Sequence, residues 1–129
     1  MTEDLAHFQQ RLFGTFLKEA QVHIASASAL LGELERDPDR GPVLYDLLRA
    51  IHSLKGAANA VEQEDAAFLC RSLEQVLHKV QRGERQVDPD FHELFRQGLA
   101  LLQAGLAALA DGGKFTISLQ FLESVRKLM

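Results

Sequence analysis

A chain with a single cysteine, Cys70, has no internal disulfide open to it; this fits a reducing compartment and removes disulfide-stapled scaffolds from consideration. Nor does it contain any apolar run near the roughly 20 residues that a bilayer crossing needs. Its opening, MTEDLAHFQQ, lacks the basic-then-apolar order of a signal peptide. Positive charge is not in excess either: the formal net charge is -4 over 129 residues, so no basic field is available to hold a nucleic-acid backbone. Sustained period-2 alternation is missing, which argues against a sheet. A glycine-rich loop of the G-x-x-x-x-G-K type is missing too, which argues against an ATP site within the chain. Internal repeats and low-complexity tracts do not occur. The expectation is one cytoplasmic domain with neither a membrane nor a nucleic acid as partner.

What the sequence does contain is helical rhythm. Hydrophobic residues make up 47% and charged residues 25%, a balance that supports a packed core and not disorder. Three segments interrupt the rhythm: RDPDRGP at 36–42, RGERQVDPD at 82–90 and DGGK at 111–114. Each combines Gly, Pro or Asp in ways that end one helix or open the next. Between them apolar residues recur at steps of three and four, which predicts helices over about 3–36, 42–61, 64–82, 89–110 and 115–128. The first would bury a stripe from Leu5, Phe8 and Leu12 through Leu34, and the last a stripe from Ile117 through Leu122 to Leu128. Gly83 is a plausible stop, Asp88 with Pro89 a cap and first-turn proline. Gly98 and Gly105 suggest close helix packing, and Gly14 marks either a bend or a close contact. Short connections favour antiparallel neighbours. The predicted fold is therefore all-α, an up-down antiparallel four-helix bundle with an additional C-terminal helix, in a single domain spanning 1–129.

One stretch, AIHSLKGAANA at 50–60, fits poorly with a helix that only buries leucines, because Gly56 weakens a helix interior by roughly 1 kcal/mol relative to alanine. On a wheel of about 100° per residue, His52 falls roughly 120° from the centre of the apolar stripe, at its wet edge. Lys55 and Asn59 follow at i+3 and i+7 on the same side, and Gly56 leaves bare backbone beside the imidazole. A large partner could reach a histidine set like this. An unperturbed imidazole, with a pKa of about 6.5, is a good nucleophile near neutral pH. It can capture a phosphoryl group on one ring nitrogen while the other carries the proton. A carboxylate on that second nitrogen would fix the tautomer, and it must come from an adjacent helix. Lys55 can supply an ammonium to attract incoming negative charge. The remaining histidines, His7, His23, His78 and His92, fall on other helices or distant turns without metal-ligand spacing, so no metal site is expected. Cys70 reads as a small buried hydrophobe with no base to activate it.

HSLKGAA resembles the His-x-x-Lys-Gly signature of histidine phosphotransfer (HPt) domains. LCRSLE at 69–74 and QRGERQVDPDFHELFRQGLALL also have counterparts there, and the five-helix order is most similar to the phosphotransfer domain of chemotaxis-type (CheA) histidine kinases. The likeness runs from about Leu12 to the end. It implies that His52 is the phosphoacceptor, Lys55 the phosphate-attracting lysine and Glu74 the acidic residue that orients the histidine. Gly56 would leave room for a partner, with Ser53 and Asn59 as further docking contacts. The phosphoryl group would come from a histidine-kinase ATP-binding domain, with ATP and Mg2+ held there and no cofactor in this domain. It would leave to an aspartate on a response-regulator receiver domain. Two positions depart from the pattern. Arg71 stands where such kinases often carry a second histidine. Glu62 stands where many members close the helix with glycine, and a left-handed cap is costly for glutamate, so a locally different turn is expected. Met1 together with the chemotaxis-type order suggests the first domain of a larger kinase; a free-standing phosphorelay protein, or a docking bundle that is not phosphorylated, are the competing readings. A hydrolase using His52 and Glu74 would need a second catalytic set that the sequence does not offer.

Overall fold

The structure, a computed structural model, describes residues 4–39 and 41–129. Five helices account for most of them: α1 (Leu5–Arg36), α2 (Gly41–Ala60), α3 (Glu64–Gln81), α4 (Pro89–Ala110) and α5 (Leu119–Leu128). No strand occurs among the described residues. The expected start of the first helix at residue 3, and Arg40 within the first interruption, lie outside the described residues.

The helix starts follow from side chains that satisfy the free N–H groups of a first turn. Asp4 Oδ1 accepts from the His7 N–H at 2.8 Å, Asp88 Oδ1 from Phe91 at 2.9 Å and Ser118 Oγ from Phe121 at 3.1 Å. Ser118 also explains why the last helix begins at Leu119 and not at 115. Residues 115–118 form no helix, and Phe115 uses that non-helical segment to bury its ring against Gly105. Three helix ends share one pattern of backbone bonds. The N–H three residues past the last helical residue reaches back five residues and its predecessor reaches back three, as at Gln63 to Ala58 and Glu62 to Asn59. The same pair recurs at Glu84 and Gly83 and at Gly113 and Gly112. This double bond needs a left-handed residue. Gly83 and Gly112 provide it at φ 76° and 81°, and Glu62 provides it at φ 60°. The expectation of a different turn at Glu62 is thus overturned: the two backbone bonds hold the left-handed conformation despite the Cβ.

The core is continuous from Phe16 in α1 to Leu128 in α5. Phe91 and Phe95 stack at 4.5 Å between ring centres inside it. α1 packs on α2 and α4, α2 on α3, α3 on α4, and α5 on α3 and α4. Gly98 and Gly105 sit where a Cβ would press on Leu73 and Phe121, or overlap the Phe115 ring. Gly14 has nothing within 4 Å, so no close contact explains it, and α1 continues through it. The first turns of α1 depart from expectation. Leu5, Phe8 and Leu12 are exposed, and the first buried residue of α1 is Phe16. α1 has 32 residues against 20 in α2, a difference of about 18 Å of helix at 1.5 Å per residue, so its beginning has no equally long neighbour to cover it. Leu122 is likewise exposed on α5.

Candidate functional site

α2 buries Leu47, Ile51, Leu54 and Ala58, spaced at three and four, and this fixes how the helix is rotated. His52 and Ser53 are therefore turned outward, with Lys55 at the margin. α3 is fixed in the same way by Leu69, Leu73, Val76 and Leu77. Packing of α2 on α3 brings Glu74 under His52 and Lys55. The Glu74 side chain is only 10% exposed, Lys55 22% and His52 68%. A buried acid thus supports an open imidazole.

Each carboxylate oxygen of Glu74 has one partner. Lys55 Nζ donates to Oε1 at 2.6 Å, and His52 Nδ1 lies 2.6 Å from Oε2. Burial alone would raise the Glu74 carboxyl, but the hydrogen bonds and charges of Lys55 and then His52 more than offset it. The group is held below its ordinary value of 4.5. An ionised carboxylate only accepts, so Nδ1 carries the hydrogen of the His52–Glu74 bond. In the neutral ring the lone pair is then left on Nε2, which makes Nε2 the nucleophilic atom. Oriented this way, the imidazole can attack an electrophile brought by another molecule while its remaining proton stays held.

The other expected contacts are more loosely placed. A Cβ on Gly56 would meet nothing within 4 Å, so no contact inside the domain requires glycine there. Ser53 is exposed and lies between two grooves, one shared with His52 and one with His23. Asn59 is exposed, and no side-chain hydrogen bond joins it to His52. Arg71 is exposed, one turn before Glu74, and takes no part in the His52 bond. Cys70 is buried, and its thiol is pushed up to about 12 by burial and by the Glu74 charge; it is not a nucleophile. Among the described residues no three His, Cys, Asp or Glu side chains converge as metal ligands.

The sequence places His78 among the histidines on other helices or distant turns, without metal-ligand spacing, and does not single out Tyr45 or Arg49. All three line a groove of about 340 Å³ that also contains His52 and Glu74. Arg49 and Tyr45 precede His52 by three and seven residues, spacings that put them on its side of the helix, and that signal was available. His78 follows Glu74 by four on α3, and only the pairing of the two helices shows its relevance.

A helical domain that offers one exposed histidine, oriented by a buried carboxylate and flanked by lysine, defines a class of phosphotransfer proteins. The chain belongs to the Hpt domain family, which it matches over residues 11–112. It is 31% identical over 98 residues to chemotaxis protein CheA of Bacillus subtilis, covering 76% of this chain and 15% of that protein. CheA of Halobacterium salinarum is 29% identical over 115 residues, 88% of this chain and 17% of that protein. The sensor histidine kinase CheAY of Helicobacter pylori is 26% identical over 107 residues, 83% and 13% respectively. The chain thus spans about a sixth of the length of these curated relatives or less. No helix among the described residues is long and apolar enough to cross a membrane.

Proposed function

We propose that His52 accepts a phosphoryl group from a histidine-kinase ATP-binding domain and passes it to an aspartate of a response-regulator receiver domain. The observation that carries this reading is the 2.6 Å contact of the exposed His52 ring with Glu74. In the first step the Nε2 lone pair forms a bond to the γ-phosphorus. The phosphorus–oxygen bond to ADP breaks, and its electron pair stays on the ADP oxygen. The ring gains positive charge as the N–P bond forms, and the Glu74 carboxylate balances it while keeping the Nδ1 proton. Lys55 keeps Glu74 ionised, so that the carboxylate is available to the ring as charge develops. In the second step an aspartate oxygen attacks phosphorus and the N–P electron pair returns to Nε2. ATP and Mg2+ belong to the partner in this scheme, and this domain holds no cofactor.

Docking is assigned to the exposed surface around Gly56, Ser53 and Asn59, where a partner backbone can approach without meeting a side chain at residue 56. The arrangement proposed is four antiparallel helices, up and down, with α5 appended, forming one domain over 1–129. Early α1 shares a groove with late α2 (Leu12 with Ala60), and Tyr45 of early α2 shares one with His78 of late α3, which supports opposite directions in both pairs. A place in a larger cytoplasmic kinase is the reading the relatives support. Incubation with a chemotaxis-kinase ATP-binding domain and labelled ATP should give an acid-labile, base-stable label that His52→Gln abolishes. Label persisting in His52→Gln would contradict the assignment, and no label in the parent would favour a docking bundle.

A further inference from the structure

We propose that Arg49 is the residue that grips the phosphoryl oxygens beside His52, with Tyr45 as the platform that steadies its guanidinium. The inference rests on His52 being the phosphoacceptor. It starts from a charge count at the site. Lys55 and Glu74 are hydrogen-bonded at 2.6 Å and cancel one another, and a neutral imidazole adds nothing, so the three side chains together offer an incoming phosphoryl group no net positive charge. Lys55 is committed to Glu74 on the side of His52 toward the end of α2. The open space lies on the other side. There the groove is bounded by Arg49 and Tyr45 from α2 and by Glu74 and His78 from α3, and Lys55 does not line it.

Arg49 has the properties needed in that space. Residues three apart on a helix are surface neighbours, with Cβ atoms about 5–6 Å apart. Its side chain is exposed and forms no ion pair among the described residues, and Asp46, one turn earlier, does not pair with it. The guanidinium carbon lies 6.0 Å from the centre of the Tyr45 ring, within the range of a cation–π contact. Tyr45 is 55% exposed, so core burial gives no reason for an aromatic there. A planar guanidinium presents two parallel N–H donors to phosphate oxygens, which an ammonium cannot do. The positively charged groups around His52 therefore divide the work. Lys55 maintains the carboxylate below the ring, and Arg49 neutralises charge on the group arriving above the groove.

The test is labelling of the 129-residue chain by the kinase ATP-binding domain and ATP, with Arg49→Ala and Arg49→Lys compared at varied concentrations of the chain. Arg49→Ala should lower kcat by about tenfold or more while KM for the chain changes less than threefold. Arg49→Lys should restore part of the loss but not all. The His52 Nδ1–H signal should be unchanged in both variants, which separates loss of phosphoryl binding from disturbance of the Glu74 contact. A kcat for Arg49→Ala within twofold of the parent overturns the inference, as does a change confined to KM, which would make Arg49 a docking residue. A parent chain that takes no label overturns the phosphoacceptor reading and this inference with it; a labelled parent confines any failure to Arg49.

Discussion

Two glycines, Gly56 and Gly105, sit inside helices of the same domain and face opposite surroundings. Around Gly56 in α2 a Cβ would touch nothing, whereas at Gly105 in α4 it would run into the Phe115 ring. The α2–α3 face is left open and polar, with a histidine supported from below by a buried acid. The α4–α5 end is filled, and the segment before α5 is spent on seating Phe115. Identical residues thus leave open surface in one region and allow close packing in the other. Only the surroundings tell the two roles apart.

That contrast can be tested most strongly at the open face. Glu74→Gln keeps the shape but removes the charge that fixes the His52 tautomer, so phosphorylation should fall on the order of 10²-fold in a labelling time course. The same change has a pH signature. The Glu74 carboxyl is held below its ordinary 4.5 by Lys55 and His52 against the opposing effect of burial. Its stabilising contribution is complete above about that pH and is lost as pH falls through the lower folded value. Denaturant melts of Glu74→Gln should therefore show a weaker loss of stability below pH 4.5 than the parent; an equally steep loss would mean other carboxylates govern it.

At the filled end, Gly105→Ala should destabilise the fold by about 1–3 kcal/mol through overpacking against Phe115, measured by urea unfolding, with the labelling rate of the folded fraction retained. A neutral result there would remove the contrast between the two glycines. Gly56→Ala should do the reverse, stabilising by about 0.5–1 kcal/mol in the same melts while slowing transfer to the receiver domain. The smallest effect is expected at Glu62, where glycine relieves the left-handed strain but loosens the unfolded chain. Glu62→Gly should gain about 0.5 kcal/mol at most, and a loss would show that the glutamate side chain contributes to the turn.

Much of the molecule was legible before its shape was known, for reasons that particular residues make plain. Asp88–Pro89 and Gly83 carry their own local chemistry, and α4 begins at Pro89 while α3 ends before Gly83. His52, Lys55 and Gly56 lie on one helix, where spacing alone places them together. Glu74 was found through resemblance, because spacing within a helix says nothing about what an adjacent helix contributes. The beginning of α1 was misjudged since Leu5, Phe8 and Leu12 keep the apolar period after the neighbouring helix has ended. The start of α5 was misjudged since Phe115 and Ile117 also keep it, while Ser118 caps the helix and Phe115 is drawn into the hollow at Gly105. Arg49 was within reach of the sequence through its spacing from His52 on α2, whereas His78 gains meaning only once α2 and α3 share a groove.

The most direct measurement is the position of the phosphoryl group on the His52 ring, read from phosphorus–nitrogen coupling in the phosphorylated, ¹⁵N-labelled chain. Coupling to Nε2, with Nδ1 still protonated and facing Glu74, is the predicted result. Coupling to Nδ1 would contradict the account, because that nitrogen is the one the Glu74 carboxylate occupies.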